Sequence, residues 1–256
     1  MRLSQVAAQL YTLREFLKTP SDIAQSLKKV RAMGYEAVQL SGLGPIGEKE
    51  LTDMLRGEGL TCCATHEPGQ TILDNPEKVV ERLNKLGCRY TAYPYPGGVS
   101  LNTLSEVKSF TDRLDHAGKV LKEAGQVLTY HNHAIEFRRV EGQLILDAIY
   151  AQTDPKNLQG EIDTYWVQAG GGDSAAWCER LKDRLPLLHL KDYGMDKDSK
   201  PTTLEIGAGN LDFKAIIAAA EASGCLWFIV EQDHCAGDPF ESLAQSFQYI
   251  KNNLCP

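Results

Sequence analysis

The stretch Tyr130-His-Asn-His-Ala-Ile-Glu-Phe137 places His131, His133 and Glu136 within six residues, in a 256-residue chain with only six histidines. Imidazoles and carboxylates this close do one of two things: they move protons as positioned acids and bases, or they hold a metal ion. The other histidines sort the same way. His66, Asp163, His189 with Lys191, and Glu231 with Asp233 each stand at the end of a short strand-like run, and His234 follows at once. Only His116 lies in a segment of helical pattern. Histidines scattered over a surface would not collect at run ends.

Spacing gives these groups a direction. Successive side chains of a strand alternate faces, so residues two apart share one. His131 and His133, His189 and Lys191, and Glu231 and Asp233 are such pairs. If the first of each pair points into a common interior, imidazoles and carboxylates converge there. An oxygen and nitrogen set without thiolate suits Mn²⁺, Co²⁺, Mg²⁺ or Zn²⁺. Taken singly, each group is better read as hydrogen-bonded filler. Taken together, Asp163, His189 and Glu231 favour a metal centre.

The elements that must position them follow from the punctuation. Gly34, Gly59, Gly87, Gly125 and Gly224 each close a Lys-, Glu-, Leu- and Ala-rich segment and precede a strand-like run. Ile23-Leu27-Val30, Val79-Leu83-Leu86 and Leu114-Ala117-Leu121 have helical spacing. A helix stopped by glycine and followed by a strand is half of a βαβ unit. Eight strands are predicted near 3–10, 35–41, 60–66, 89–95, 126–132, 158–163, 186–192 and 226–232. Helices are predicted near 21–33, 47–57, 76–86, 103–124, 142–151, 173–184, 212–223 and 238–253. Eight βα units over this length give an α/β fold, a (β/α)8 TIM barrel, as a single domain across 1–256. In such a barrel the strand ends, where these groups stand, carry the chemistry. A doubly wound sheet would need a phosphate turn after an early strand. Ser41-Gly-Leu-Gly-Pro-Ile-Gly has the G-x-G-x-x-G spacing, but Pro45 removes an amide from the cradle, so it is read as a loop.

Composition narrows the partners. The net charge is −7 and no basic stripe stands out, which lowers the prospect of nucleic acid binding. No run approaches a membrane span, and the first residues do not read as a secretory leader. Seven scattered cysteines without a C-x-x-C pair read as core residues in a reducing, cytoplasmic setting. Barrels of this kind often pair through rim or helix surfaces, so a homo-oligomer is an open expectation.

From QLYTLRE through MGYEAVQL, THEPG, YHNHAIEF, EIDTYWV, HLKDY and EIGAGNLDF to FIVEQD, the chain resembles the sugar phosphate isomerase/epimerase family with the xylose isomerase-like TIM barrel. The resemblance covers almost the whole sequence. It implies one divalent metal ion (Mn, Co, Mg or Zn) held by Glu, Asp, His and Glu from strands five to eight. Asp163, His189 and Glu231 match three ligands directly. The fifth strand ends in imidazole where many family epimerases have a glutamate. Glu136, a few residues on, is therefore expected to loop back to the metal, with His131 as the rival ligand. The family name does not imply a phosphate on the substrate.

The resemblance also implies a reaction. A divalent ion polarises a carbonyl, the neighbouring C–H becomes acidic, and a positioned base removes the proton to give an enediolate. Glu231, Glu136, Lys191 and His131 are the expected catalytic groups, with Lys191 an acid or base if its pKa is lowered. His66, His133, Trp166 and Gln9 are expected to contact a small sugar or keto-sugar, with Tyr165, Tyr93, Tyr95 and Tyr11 as weaker candidates. Proton return gives an isomer or epimer, the first expectation; loss of a β-oxygen substituent makes the enzyme a lyase or dehydratase. A zinc-dependent AP endonuclease of the same fold would need a strand-four histidine, where this chain has Tyr93-Pro94-Tyr95. A non-enzymatic sugar-binding barrel is the other rival. The long segment between Lys191 and Gly209 is a candidate lid.

Overall fold

All five glycines predicted to close helices have positive φ, from 64° at Gly87 to 115° at Gly34, as left-handed helix caps require. The computed structural model describes residues 1–255. Twelve strands run β1 Val6–Gln9, β2 Ala37–Leu40, β3 Thr61–His66, β4 Tyr90–Tyr93, β5 Val127–His131, β6 Arg139–Val140, β7 Gln143–Leu144, β8 Leu158–Asp163, β9 Leu187–Leu190, β10 Asp192–Met195, β11 Pro201–Leu204 and β12 Trp227–Val230. Ten helices run α1 Pro20–Met33, α2 Glu48–Glu58, α3 Gly69–Asp74, α4 Pro76–Leu86, α5 Leu104–Glu123, α6 Ile145–Ala151, α7 Thr164–Ala169, α8 Ser174–Arg180, α9 Phe213–Ala222 and α10 Pro239–Asn253.

Eight of the strands close a parallel barrel in the order β1-β12-β9-β8-β5-β4-β3-β2. These are the eight predicted from sequence, so β8, β9 and β12 are the sixth, seventh and eighth barrel strands. The helices start where local chemistry allows. Thr19 with Asp22 and Thr103 with Glu106 form capping boxes at α1 and α5, and Asp238 caps α10 ahead of Pro239. The elements not foreseen are α3, α7 and two antiparallel hairpins, β6–β7 and β10–β11. The second hairpin fills most of the segment expected to be a lid. Asp192 fastens it by accepting from the backbone N–H groups of Gly207 at 2.8 Å and Gly209 at 3.0 Å.

The main core lies between barrel and helices, and a small cluster of Ala7, Ala37, Ala64, Tyr90, Leu187 and Ile229 plugs the barrel. Alternation along each strand then carries the next inward positions toward the C-terminal rim. In β1, β2, β9 and β12 those positions are polar: Gln9, Gln39, His189 and Glu231. Parallel register sets neighbours abreast: Gln9 beside Gln39, His131 beside Glu161, and Asp163 beside His189. The barrel's shape therefore gathers these polar groups above an apolar plug.

Candidate active site

Two clusters of ligand atoms converge at the C-terminal end, each with all its atoms within 4.8 Å of one another: His131, Asp163, His189 and Glu231, and His66, His131, Glu161 and His189. All but His66 are buried in full or nearly so. Each shared histidine faces both clusters with different nitrogens. His189 Nδ1 lies 2.9 Å from Glu231 Oε2 and 3.7 Å from Asp163 Oδ2, while its Nε2 lies 3.5 Å from Glu161 Oε2. His131 Nε2 lies 3.9 Å from Asp163 Oδ2, while its Nδ1 lies 3.4 Å from Glu161 Oε2.

These spacings test whether a divalent ion fits. Two donors each about 2.1 Å from one ion lie roughly 3.0–4.2 Å apart, depending on the angle between them. His189 Nδ1 to Glu231 Oε2, His189 Nδ1 to Asp163 Oδ2 and His131 Nε2 to Asp163 Oδ2 are separated by distances in or next to that range. The nitrogen and oxygen donors suit a borderline or hard cation. The residues fit, and this first cluster could hold a metal ion.

Lys191 enters the same place. Its Nζ lies 2.8 Å from Asp163 Oδ2, 2.7 Å from Glu231 Oε2 and 2.9 Å from Asp233 Oδ2, with no exposed surface. Burial opposes its charge, but Asp163, Glu231 and Asp233 together outweigh burial and raise its pKa well above the usual lysine value. Three carboxylates keep the ammonium charged; the lowered lysine pKa expected from sequence is tied to a neighbouring divalent cation. Burial would neutralise Glu231, yet Lys191 and His189 reverse that and hold it far below the ordinary carboxylate range. Burial likewise disfavours a charged His189, but Glu161 and Glu231 prevail and raise it to about 10. His131 and His133 go the other way. Burial first, then His189 for His131 and Lys191 for His133, keep both imidazoles neutral, with His133 lowered to about 3.

A cavity of about 260 Å³ opens above, lined by Tyr11, Ser41, His66, Pro94, Tyr95, His131, His133, Glu231 and Asp233. It adjoins a cleft of about 460 Å³ that shares Ser41 and His66 and extends to Arg82. Tyr11 and Tyr95 are 38% and 49% exposed, large for aromatic rings, and offer flat apolar faces at the opening. The ring nitrogen His133 Nδ1 is buried with no hydrogen-bond partner. Unpartnered polar atoms at a cavity wall are groups that a polar ligand can satisfy.

Several expected residues stand elsewhere. Glu136 is fully buried, but its Oε1 accepts from Tyr130 Oη and its Oε2 from the His133 N–H, each at 2.8 Å. It caps its own short helical turn and belongs to neither ligand cluster. Its expected return to a metal is therefore replaced by a local structural role, and His131 is the strand-five group that reaches the cluster. Gln9, expected against substrate, lies buried beneath the cavity, donating to Gln39 Oε1 at 2.8 Å. Trp166 sits behind His133, ring centroids 5.1 Å apart, outside the cavity lining. Tyr93 is buried in the core, stacked on Tyr130.

Two residues escaped the sequence reading. Glu161 stands two before Asp163, so strand parity alone places it on the same inward face. Gln39 is the one polar residue of β2, two after Ala37, with the same parity. Both were masked by the apolar runs around them.

Comparisons with known proteins agree with the architecture. A family model described as xylose isomerase-like TIM barrel matches residues 27–253. Among curated relatives, an inosose dehydratase of Lactiplantibacillus plantarum is 24% identical over 272 residues, covering 91% of this chain and 89% of that one. An inosose dehydratase of Geobacillus thermodenitrificans is 28% identical over 157 residues, about half of each chain, 55% and 52%. A solved structure of a sugar phosphate isomerase/epimerase from Parabacteroides distasonis superposes with a TM-score of 0.83 at 23% identity, covering 98% of this chain and 94% of that one. An L-ribulose 3-epimerase structure superposes with a TM-score of 0.72 at 15% identity over 98% and 94% of the chains.

Proposed function

Since the chain belongs to the xylose isomerase-like TIM barrel family, we propose that it is an enzyme that removes the proton beside the carbonyl of a sugar or keto-sugar, assisted by one divalent metal ion. The convergence of Asp163 Oδ2, His189 Nδ1 and Glu231 Oε2 at the floor of the cavity carries this reading. Asp163, His189, Glu231 and His131 would hold the ion; Mn²⁺, Co²⁺, Mg²⁺ or Zn²⁺ suits them. When bound, it supplies Lewis-acid polarisation of the carbonyl. Glu231 lines the cavity and is kept ionised, so it can receive the proton from carbon. Lys191 stays cationic beside it and stabilises the negative charge that passes to the substrate oxygen. His133 and His66 bind hydroxyl groups, and Tyr11 and Tyr95 pack on the sugar's apolar face. The unpaired thiols fit a cytoplasmic setting.

Two end points share this first step. Isomerisation or epimerisation returns the proton to carbon, with the neutral imidazole of His133, which lines the same cavity as Glu231, as the second acid–base group. Elimination expels a β-oxygen substituent, as in a dehydratase. One observation favours elimination: the carboxylates lining the cavity, Glu231 and Asp233, both come from the end of β12, so they form no pair on opposite sides of a substrate. The names of the sequence relatives point the same way. The test uses a panel of ketoses and cyclitol ketones in D₂O with added Mn²⁺. Deuterium in recovered substrate or in an epimer marks proton return, and a conjugated, ultraviolet-absorbing product marks elimination. Glu231→Gln is expected to abolish both while retaining part of the metal affinity. Full exchange in that variant rejects Glu231 as the base.

A further inference from the structure

Two ligand clusters share His189, and a single imidazole tautomer cannot offer a lone pair to both. The charged imidazole carries hydrogen on both nitrogens, so which nitrogen keeps its hydrogen when a metal binds decides which cluster can take the ion. The answer lies in a buried chain of amides beneath the site. The Tyr11 backbone N–H can only donate, and it donates to Gln9 Oε1 at 3.3 Å. That turns Gln9 Nε2 toward Gln39, where it donates to Oε1 at 2.8 Å. Gln39 Nε2 then faces Glu161 Oε1 at 2.6 Å. The orientation of Gln39 is thus fixed from the Tyr11 end. Its Oε1, an acceptor only, lies 2.7 Å from His189 Nε2. That nitrogen must therefore be the donor, and it bears the proton. Gln9, Gln39 and His189 have no exposed surface, so water does not compete for these bonds.

We propose that Gln39, oriented by Gln9, is a positioning residue that holds a proton on His189 Nε2, so that Nδ1 is the nitrogen left for a metal ion between Asp163 and Glu231. The inference rests on the metal reading above and sharpens it. It assigns the ion to the Asp163–Glu231 side through Nδ1. It closes the His66–Glu161 side as a second metal site, because the nitrogen facing Glu161 is occupied by hydrogen. Outer groups of this kind commonly set the tautomer and affinity of a ligating histidine. Neither glutamine touches the cavity, so neither is a catalytic residue.

The experiment is two-bond ¹H–¹⁵N correlation spectroscopy on protein labelled with ¹⁵N-histidine, titrated with Zn²⁺. Wild-type protein is expected to bind one equivalent, with His189 ligated through Nδ1 and a slowly exchanging proton on Nε2. Ligation through Nε2 overturns the proposal without any variant being made. Gln39→Met keeps the side-chain length but removes the acceptor. It is expected to lower zinc affinity by roughly 10- to 100-fold and to speed exchange of the Nε2 proton. Unchanged affinity and exchange in Gln39→Met overturn the assignment. If wild-type protein binds no zinc, the metal reading falls by itself. The Nε2 proton of the metal-free protein then decides: protection lost in Gln39→Met supports the positioning role, and equal exchange in the two proteins refutes it.

Discussion

At the scale of single residues, the two buried acids Glu136 and Glu231 show how surroundings assign a role. Both were candidate ligands by type. Glu231 lies against two cations and stays ionised. Glu136 has none beside it, and burial raises it to about 7 against an ordinary 4.5. Between those pH values the unfolded carboxyl has released its proton and the folded one retains it, so stability falls as pH rises across that window. The full shift corresponds to on the order of 3 kcal/mol by neutral pH. Glu136→Gln can still accept from the His133 N–H and can donate to the Tyr130 oxygen, and it lacks the titration. Urea midpoints measured from pH 4 to 8 should show the variant gaining on the wild type between about 4.5 and 7, then holding level. Parallel curves would show that Glu136 does not titrate in this way. Nothing in the sequence marked Glu136 as inward and self-capped, because that depends on the Tyr130 hydroxyl reaching it from the strand before.

Lys191 gives the second residue-level prediction. It is the cation among Asp163, Glu231 and Asp233. Lys191→Met leaves buried like charges facing one another, a change that typically costs about 3–5 kcal/mol. A divalent ion on Asp163 and Glu231 should offset much of that loss. Adding Mn²⁺ is therefore expected to raise the melting temperature of the variant more than that of the wild type. An equal rise in both would mean that ion and ammonium do not share these oxygens.

At the scale of elements, β8 does most to build the site, because it carries both Glu161 and Asp163 inward. Gly160, between Gln159 and Glu161, faces the helix layer, where an added Cβ would lie 2.7 Å from Leu181 Cδ1 and 3.2 Å from Leu185 Cδ1. Gly160→Val should overpack this seam at a cost of about 1–3 kcal/mol and displace the strand. Metal affinity should fall with it. A variant as stable as wild type with the same affinity would show that the seam absorbs the bulk. Five of the eight strands were legible because each follows a helix closed by glycine, and the others because they are short runs of strand-like pattern between helical segments. The β10–β11 hairpin was not, since Asp192-Tyr-Gly-Met and Pro201-Thr-Thr-Leu lack apolar alternation; Asp192's grip on distant backbone amides orders it instead. The sorting of histidines to strand ends was readable before any coordinates. The identity of the strand-five contributor was not, because a loop's return path leaves no periodic trace in sequence.

At the scale of the whole molecule, a closed barrel with an apolar plug leaves its C-terminal rim as the place where eight strands aim polar groups at one another. The charges there do not balance: Lys191 and His189 stand against Asp163, Glu161, Glu231 and Asp233. Two cations facing four carboxylates leave an excess of negative charge that a divalent ion would complete. Removing metal with a chelator should therefore lower the melting temperature, and restoring one equivalent should recover it.

The most direct test is a crystal structure grown with Mn²⁺ and measured at a wavelength where manganese scatters anomalously. The account predicts one strong peak about 2.0–2.3 Å from Asp163 Oδ2, His189 Nδ1 and Glu231 Oε2. A peak between His66 and Glu161, or no peak within reach of His189 Nδ1, would contradict it.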